Sequence, residues 1–460
     1  MSSLAITDAT LVRPDGRSRC TILTEDGVVT ALLRPTDRPG AETVIDAGGG
    51  LVLPGVIDAH VHLGIVPGFA EACRTESAAA VTGGVTSMWH YLLSPGSFFD
   101  VYRDHVRDVE DSSLIDVGFH GLMTNQTQVE EIPRTVDELR LTSYKFHMAM
   151  KGPEAAYGIN GLDDGLIFEG LRQIASRPGV MALVHAENVD VILRNRELAM
   201  AEAPEATDTA TWSRHRPHFT EEEAMVRAAI LAETAGAPLG VIHTSVGRGP
   251  ELIRQARVRF PHLYMETCPQ YLVLDMEMDL GTKGKVNPPL RTRRDQELLW
   301  MGLADGTIDW MGSDHCDYDL ASRQGSIWEV GPGLTTGMTM ILPVLLSEGV
   351  NRGRLTLERV VELTSARFAR LMGVSPRKGV VAVGSDADLV MVDLDHEVVV
   401  RPEMLNSFAD YTPYEGMGIR GWPSLTVAGG EIIYEKGDVN RTTSHRGTVV
   451  TVPPAEMPRL

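Results

Sequence analysis

The 460-residue sequence lacks the features that mark a secreted, membrane or disulfide-rich protein. Its four cysteines, Cys20, Cys73, Cys268 and Cys316, form no CxxC pair and no dense cluster. This spacing argues against a disulfide framework or a zinc knuckle and is typical of a reducing compartment. No apolar run approaches the ~18 residues of a membrane helix, and no basic stretch followed by an apolar one opens the sequence. We therefore expect a soluble, cytoplasmic protein without a membrane partner.

Basic residues are scarce relative to acidic ones. The chain has 62 Asp and Glu residues against 42 Lys and Arg residues, which gives a formal net charge of -20. Such a charge repels nucleic acid and anionic lipid, so we expect neither as a partner. A small neutral or cationic substrate is easier to accommodate. The hydrophobic fraction of 43% and the charged fraction of 23% are typical of a globular protein.

The order of predicted elements divides the chain into three parts. Residues 1–52 form short predicted strands separated by turn signals such as Pro-Asp-Gly at 14–16. Residues 53–374 alternate apolar strands with helices, the pattern of repeated βα units. Residues 375–460 return to strands, with a tail from residue 441 that we expect to be mobile or to contact another subunit. The two ends together predict one small β-sandwich domain beside the central part.

The central part contains eight candidate strands, the number that a TIM-type (β/α)8 barrel needs. They cover residues 56–62, 85–91, 116–122, 142–149, 180–185, 239–244, 262–268 and 308–314. The predicted fold class is therefore α/β. Because active-site groups of such barrels lie at the C-terminal ends of the strands, we expect the functional side chains at these ends. Residues 186–220 are longer than a βα connection requires, which predicts a functional loop or an insertion.

Six side chains capable of binding metal lie at or near these strand ends. They are His60, His62, Lys145, His185, His243 and Asp314. His60 and His62 are two residues apart, so a strand places both imidazoles on one face. Each residue alone has a structural explanation, a satisfied core histidine or a helix cap. Their joint position at one end of a barrel predicts a metal site.

Lys145 is the unusual member of this set. A lysine inside a barrel is costly to keep charged, so burial lowers the pKa of its amine. A neutral amine can add carbon dioxide and become a carbamate, an anionic group with two oxygens that can bridge two metals. With the four histidines and Asp314, it would hold two divalent ions about 3.5 to 4 Å apart. The alternative is an ion pair between Lys145 and a carboxylate such as Asp314.

Seven motifs give the chain a resemblance to the amidohydrolase superfamily, and within it to the cyclic amidases of the hydantoinase and dihydropyrimidinase group. They are Asp58-x-His60-x-His62, Ser143-Tyr-Lys145, Val184-His185-Ala-Glu-Asn188, Val241-Ile-His243, Glu266-Thr-Cys-Pro-Gln-Tyr271, Asn287-Pro-Pro-Leu-Arg291 and Gly312-Ser-Asp314-His-Cys316. The resemblance covers nearly the whole chain.

What this resemblance implies is a site with two zinc ions. It implies His60, His62 and Asp314 on one ion, His185 and His243 on the other, and carbamylated Lys145 bridging them. It also implies that Asp314 is catalytic, taking a proton from a hydroxide that bridges the two ions and passing it to the leaving ring nitrogen. A homotetramer is the oligomer that the resemblance implies.

The chain departs from this group where the substrate is held. Five residues after the bridging lysine the group has a tyrosine that hydrogen-bonds the developing oxyanion, and here that residue is Met150, whose thioether cannot donate. Asn287 stands where a serine precedes Pro-Pro-Leu-Arg, and an expected asparagine is missing around Gly333. His147, on the same strand face as Lys145, is a candidate substitute donor. The alternative is that His147 is a structural histidine.

The leading interpretation is a dinuclear metal-dependent hydrolase that opens a cyclic amide, imide or ureide ring. Met150 predicts a substrate range shifted away from simple hydantoin and dihydrouracil. Dihydroorotate is disfavoured because no arginine follows His62 to bind its carboxylate. An allantoinase-like hydrolase and a mononuclear deaminase of the same superfamily are alternatives. A non-catalytic scaffold is less favoured, since all six candidate ligands are present.

Overall fold

A computed structural model describes residues 3–155, 158–443 and 445–452. The strands are β1 (Ser3–Arg13), β2 (Gly16–Glu25), β3 (Val28–Leu33), β4 (Thr43–Asp46), β5 (Leu51–Pro54), β6 (Val56–His62), β7 (Val85–Leu92), β8 (Asp116–Met123), β9 (Ser143–His147), β10 (Met181–His185), β11 (Leu239–Val241), β12 (Leu263–Thr267), β13 (Trp310–Met311), β14 (His315–Cys316), β15 (Leu389–Val399), β16 (Gly418–Ala428), β17 (Glu431–Glu435) and β18 (Asp438–Val439). They form two nine-stranded sheets.

Most of the helices lie between the strands of the central part. They are α1 (Phe69–Thr82), α2 (Tyr102–Ser112), α3 (Gln126–Leu139), α4 (Asp164–Ala175), α5 (Val189–Glu202), α6 (Thr209–Arg214), α7 (His218–Ala235), α8 (Gly249–Arg257), α9 (Gln270–Val273), α10 (Arg293–Asp305), α11 (Gly337–Val344), α12 (Leu357–Val361) and α13 (Arg367–Leu371). Two π-helical segments, Leu345–Val350 and Glu362–Ala366, continue α11 and α12. Short 3-10 turns lie at Phe98–Asp100, Gly152–Glu154, Gly281–Gly284, Ala321–Arg323 and Pro402–Met404. None of these helices is long and apolar enough to cross a membrane.

The central sheet is a closed parallel barrel, as predicted. From β6 to β13 each strand pairs with the next one along the chain. Closure depends on an interrupted last strand, in which β13 pairs with β12 and β14 pairs with β6. Residues of the inner strands are buried on both faces, for example throughout β7, because helices cover the outside of the barrel. The predicted loop or insertion at 186–220 contains α5 and α6.

Three predicted strand ends are wrong in the same way. The strand predicted for 308–314 breaks after Met311, the one for 239–244 ends at Val241, and the one for 142–149 ends at His147. Asp314 and His243 have φ values of 52° and 41°, in the left-handed region, which no β-strand residue adopts. The β-strand conformation of the barrel therefore ends at or near the candidate ligands.

The second sheet joins both ends of the chain, and the predicted small β-sandwich domain is confirmed. β5 is the junction, because it pairs with β1 in parallel and with β15 in antiparallel orientation. The exact boundaries, 1–52, 53–374 and 375–460, stay a prediction. Of the predicted tail, residues 445–452 run along the barrel, where Val449 bridges to Val117. Residues 453–460 lie outside the described part of the chain.

Candidate metal centre

The six residues predicted as ligands come together at the C-terminal end of the barrel. His60 and His62 end β6, and the interruption of the last strand brings Asp314 against them. Asp314 Oδ1 lies 3.0 Å from His60 Nε2 and 3.4 Å from His62 Nε2, and the two Nε2 atoms are 3.2 Å apart. These three side chains form a cluster whose ligand atoms all face one another.

A second pair of imidazoles stands beside this cluster. His185, at the end of β10, and His243, just after β11, place Nδ1 and Nε2 3.0 Å apart. The ring centroids of His243 and His60 are 5.2 Å apart, so the two groups share one site.

Lys145 of β9 reaches the first cluster. Its Nζ lies 3.1 Å from His60 Nε2 and 3.3 Å from His62 Nε2. Among the described residues, no carboxylate forms an ion pair with this amine, so the predicted alternative of an ion pair with Asp314 is not what the structure has. Burial lowers the pKa of Lys145, and the nearby carboxylates of Asp314 and Glu266 raise it by less.

Two buried glutamates fix the tautomers of the imidazoles. Glu266 Oε1 accepts from His60 Nδ1 at 2.8 Å and from the His243 backbone N–H at 3.0 Å, while Glu266 Oε2 accepts from Trp310 Nε1 at 2.6 Å. Glu187 Oε2 accepts from His185 Nε2 at 2.7 Å. A carboxylate on one ring nitrogen leaves the lone pair of the other nitrogen for a metal. In both histidines that free nitrogen is the one that faces the site.

A buried ion-pair chain supports Glu187. The Glu187 carboxylate accepts from Arg216 Nη1 at 2.8 Å, and Arg216 also pairs with Glu154. Sequence reasoning missed all three of these residues as well as Glu266. The available signal was spacing, because Glu187 follows His185 by two residues and Glu266 lies near the end of its own strand.

The charges of the site favour binding a cation. Burial raises the pKa of Asp314, but His60, His62 and His243 lower it more, so it stays well below its ordinary value. Burial and Lys145 lower the pKa of His62 to about 3. Burial and Lys145 also lower that of His60, but Asp314 and Glu266 raise it more, and the net shift is upward.

The donor set therefore fits a divalent metal ion. It consists of a carboxylate and of imidazole nitrogens that face one another, the ligands that zinc and similar ions prefer. His243 joins this set through Nε2, which lies 3.0 Å from His185 Nδ1.

A cavity of about 440 Å³ opens onto these groups. The four residues predicted to contact substrate all line it, namely His147, Met150, Asn287 and Gly333. Met150 is 8% exposed and supplies an apolar wall. Asn287 Oδ1 accepts from Trp212 Nε1 at 3.1 Å. Gly333 has a φ of 131°, and a Cβ there would lie 2.6 Å from Cys316 Sγ, so glycine is required.

His147 stacks on a candidate ligand. Its ring lies 3.8 Å from that of His185 at an angle of 20°. Burial, together with His185 and Lys145, lowers the pKa of His147 well below its ordinary value. The Nδ1 atom of His147 is buried and without a hydrogen-bond partner in the described structure.

The family model described as "Amidohydrolase family" matches residues 51–433. The chain belongs to the amidohydrolase family. Among its relatives within that family, the L-hydantoinase of Paenarthrobacter aurescens is 33% identical, with 95% of this chain and 96% of that protein covered. The D-hydantoinase of Geobacillus stearothermophilus is 35% identical, with 93% and 92% covered.

Solved structures of a hydantoinase and a dihydropyrimidinase show the same fold. The L-hydantoinase (dihydropyrimidinase) from Arthrobacter aurescens superposes with a TM-score of 0.89 at 32% identity, covering 98% of this chain and 100% of the other. The dihydropyrimidinase from Brevibacillus agri NCHU1002 gives 0.88 at 31% identity, with 98% and 100% covered. The predicted resemblance to the hydantoinase and dihydropyrimidinase group is confirmed.

Proposed function

We propose that this chain is a dinuclear metal-dependent hydrolase that opens a C–N bond of a cyclic amide, imide or ureide. The observation that carries the proposal is the position of Lys145, whose amine contacts two candidate ligands and forms no ion pair with any described carboxylate. A bridging group is needed at this place only if two ions are bound. The relatives support the reaction class, since they are hydantoinases and a dihydropyrimidinase.

The ligands divide into two sets around the lysine. One ion would be held by His60, His62 and Asp314, and the other by His185 and His243. Carbamylated Lys145 would bind both ions. The imidazole-rich donor set makes zinc the ion that we propose. Two such ions polarise a carbonyl group and lower the pKa of a shared water.

Residues of the chain transfer the proton and orient the metal ligands. Asp314 starts as a carboxylate, since the nearby imidazoles hold its pKa well below its ordinary value. It accepts a proton from the attacking water, becomes a carboxylic acid and then delivers that proton to the leaving ring nitrogen. Glu266 and Glu187 keep His60 and His185 in the tautomers that direct a lone pair into the site.

The cavity walls indicate a shifted substrate range. Met150 supplies no hydrogen bond to a developing oxyanion, and Leu122 and Ile159 line the same cavity. We propose a ring that carries an apolar or aromatic substituent, with Met150, His147, Asn287 and Gly333 as the contacts. His147 is the candidate donor, because its ring faces the cavity beside His185.

The alternatives differ in what they need from Lys145. A mononuclear deaminase does not need this residue, and a non-catalytic scaffold needs none of the six ligands. Allantoin belongs to the same chemical class and stays among the substrates to be tested. We further propose a homotetramer in the cytoplasm, which the family resemblance and four free, buried cysteines support.

Metal content and turnover test this proposal together. Purified protein should carry close to two divalent ions per chain, and His60→Ala and His185→Ala should each lower that number. The control is His396→Ala, at an exposed position of β15. Turnover is measured on hydantoins, dihydropyrimidines, cyclic imides, allantoin and lactams. Full metal occupancy in both ligand variants, or no turnover of any ring by metal-loaded protein, would overturn the proposal.

A further inference from the structure

Tyr91 contributes a buried hydroxyl group that has no hydrogen-bond partner among the described residues. The residue lies near the end of β7, is 1% exposed and lines the metal cavity. Buried hydroxyl groups are almost always paired, because an unmet hydrogen bond costs free energy. The hydroxyl therefore indicates an acceptor that the described protein atoms do not provide.

The ring of Tyr91 lies among the candidate ligands. Its centroid is 4.5 Å from that of His60 and 5.1 Å from that of His62, with which it is stacked at 21°. Lys145 Nζ lies over the ring face, 4.3 Å from the centroid. The unpaired hydroxyl thus belongs to the ring that directly covers the lysine amine.

We propose that the Tyr91 hydroxyl donates a hydrogen bond to a carboxylate oxygen of the Lys145 carbamate and so stabilises the modified lysine. This inference rests on the proposed carbamylation of Lys145. In that step the neutral Nζ forms an N–C bond to carbon dioxide, releases one proton and becomes part of a group with one negative charge. The modification adds two acceptor oxygens beside Tyr91, whereas a lysine ammonium offers only donors.

Two other roles for Tyr91 predict different behaviour. An aromatic face can stabilise an ammonium group, which would favour the unmodified lysine, but a phenylalanine ring provides that contact equally well. The hydroxyl could instead contact substrate, yet its oxygen is shielded from the cavity solvent. Removing only the hydroxyl, by Tyr91→Phe, separates these roles.

The experiment measures the carbamate directly. Wild type and Tyr91→Phe are loaded with zinc at a fixed concentration over a range of ¹³C-bicarbonate, and the carbamate carbon is quantified by ¹³C NMR. Because a hydrogen bond to a charged acceptor is lost, we expect half-maximal labelling of Tyr91→Phe to need roughly tenfold or more bicarbonate. Label loss after transfer to unlabelled bicarbonate should be faster by a similar factor. The variant should fold, since the lost hydroxyl has no hydrogen-bond partner in the part of the chain that the structure describes.

Tyr144→Phe is the matched control. Tyr144 precedes Lys145 in β9, and its buried hydroxyl lies 2.7 Å from Thr135 Oγ1, away from the site. Its labelling should equal that of wild type. If Tyr91→Phe is labelled as fully as wild type, the inference about Tyr91 is overturned, whereas the carbamate itself is still supported. This holds even if turnover by Tyr91→Phe falls, because the hydroxyl then acts on substrate. No label in zinc-loaded wild type overturns the carbamate itself and, with it, the role of Tyr91.

Discussion

Replacing Met150 by tyrosine tests whether the substrate cavity lacks an oxyanion donor. Met150 packs in an apolar cluster with Leu122 and Ile159, and all three line the cavity of about 440 Å³. The cavity therefore has room for the aromatic ring of a tyrosine at position 150. Met150 already has a φ of 57°, so a tyrosine there adds little new backbone strain.

The size of the effect follows from the missing hydrogen bond. One donor to a developing oxyanion contributes ~2.7 to 4 kcal/mol, or roughly 10² to 10³ in rate. The extra volume costs about 1 to 3 kcal/mol of stability if the cavity wall does not adapt. Met150→Phe has the same volume cost but no hydroxyl, so the ratio of the two variants isolates the donor.

The assay is kcat/KM on unsubstituted hydantoin and dihydrouracil and on rings with a bulky apolar substituent. Wild type should be poor on the small rings and better on the substituted ones. Met150→Tyr should exceed Met150→Phe by about 10² on the small rings, with equal zinc content in both. If the two variants agree within about threefold, or if wild type already turns over the small rings efficiently, the reasoning is refuted and another donor, such as His147, serves instead.

Two further changes test the metal centre. Lys145→Ala should abolish turnover because the bridging anion is lost, and a short carboxylic acid added to the assay should restore a small part; wild-type activity would exclude a bridging carbamate. Glu266→Gln should lower metal affinity about 10- to 100-fold, measured by competition with a chelator, because the amide cannot accept from His60, His243 and Trp310 together. Unchanged affinity would contradict the role of Glu266.

The fold and the grouping of the candidate ligands could be predicted from local patterns. Alternation of apolar strands with helices predicts the barrel, and period-two spacing predicts that His60 and His62 share a face. The strand ends could not be predicted, because the left-handed conformations of His243 and Asp314 are imposed by the barrel rather than by the residue types. The sequence gives no local signal for a backbone conformation that the tertiary structure imposes.

The supporting carboxylates and the phenol were missed for a different reason. Glu266 and His60 are 206 residues apart, so their hydrogen bond exists only once the barrel has closed. Tyr91 has an ordinary strand environment in the sequence. Its role is indicated only by the structure, in which its ring lies under the Lys145 amine and its hydroxyl has no hydrogen-bond partner among the described residues. Such contacts depend on topology, which single-residue patterns do not encode.

The two imidazole groups also differ in their electrostatics. Glu187 is paired with buried Arg216, and burial, Lys145 and Arg216 together lower the pKa of His185 more than Glu187 raises it. No arginine or lysine among the described residues pairs with Glu266, which together with Asp314 raises the pKa of His60 despite burial. The His60 side of the site is therefore the more anionic one. A divalent cation therefore gains most electrostatic stabilisation on the His60 side, because no arginine or lysine among the described residues forms an ion pair with Asp314 or Glu266 there.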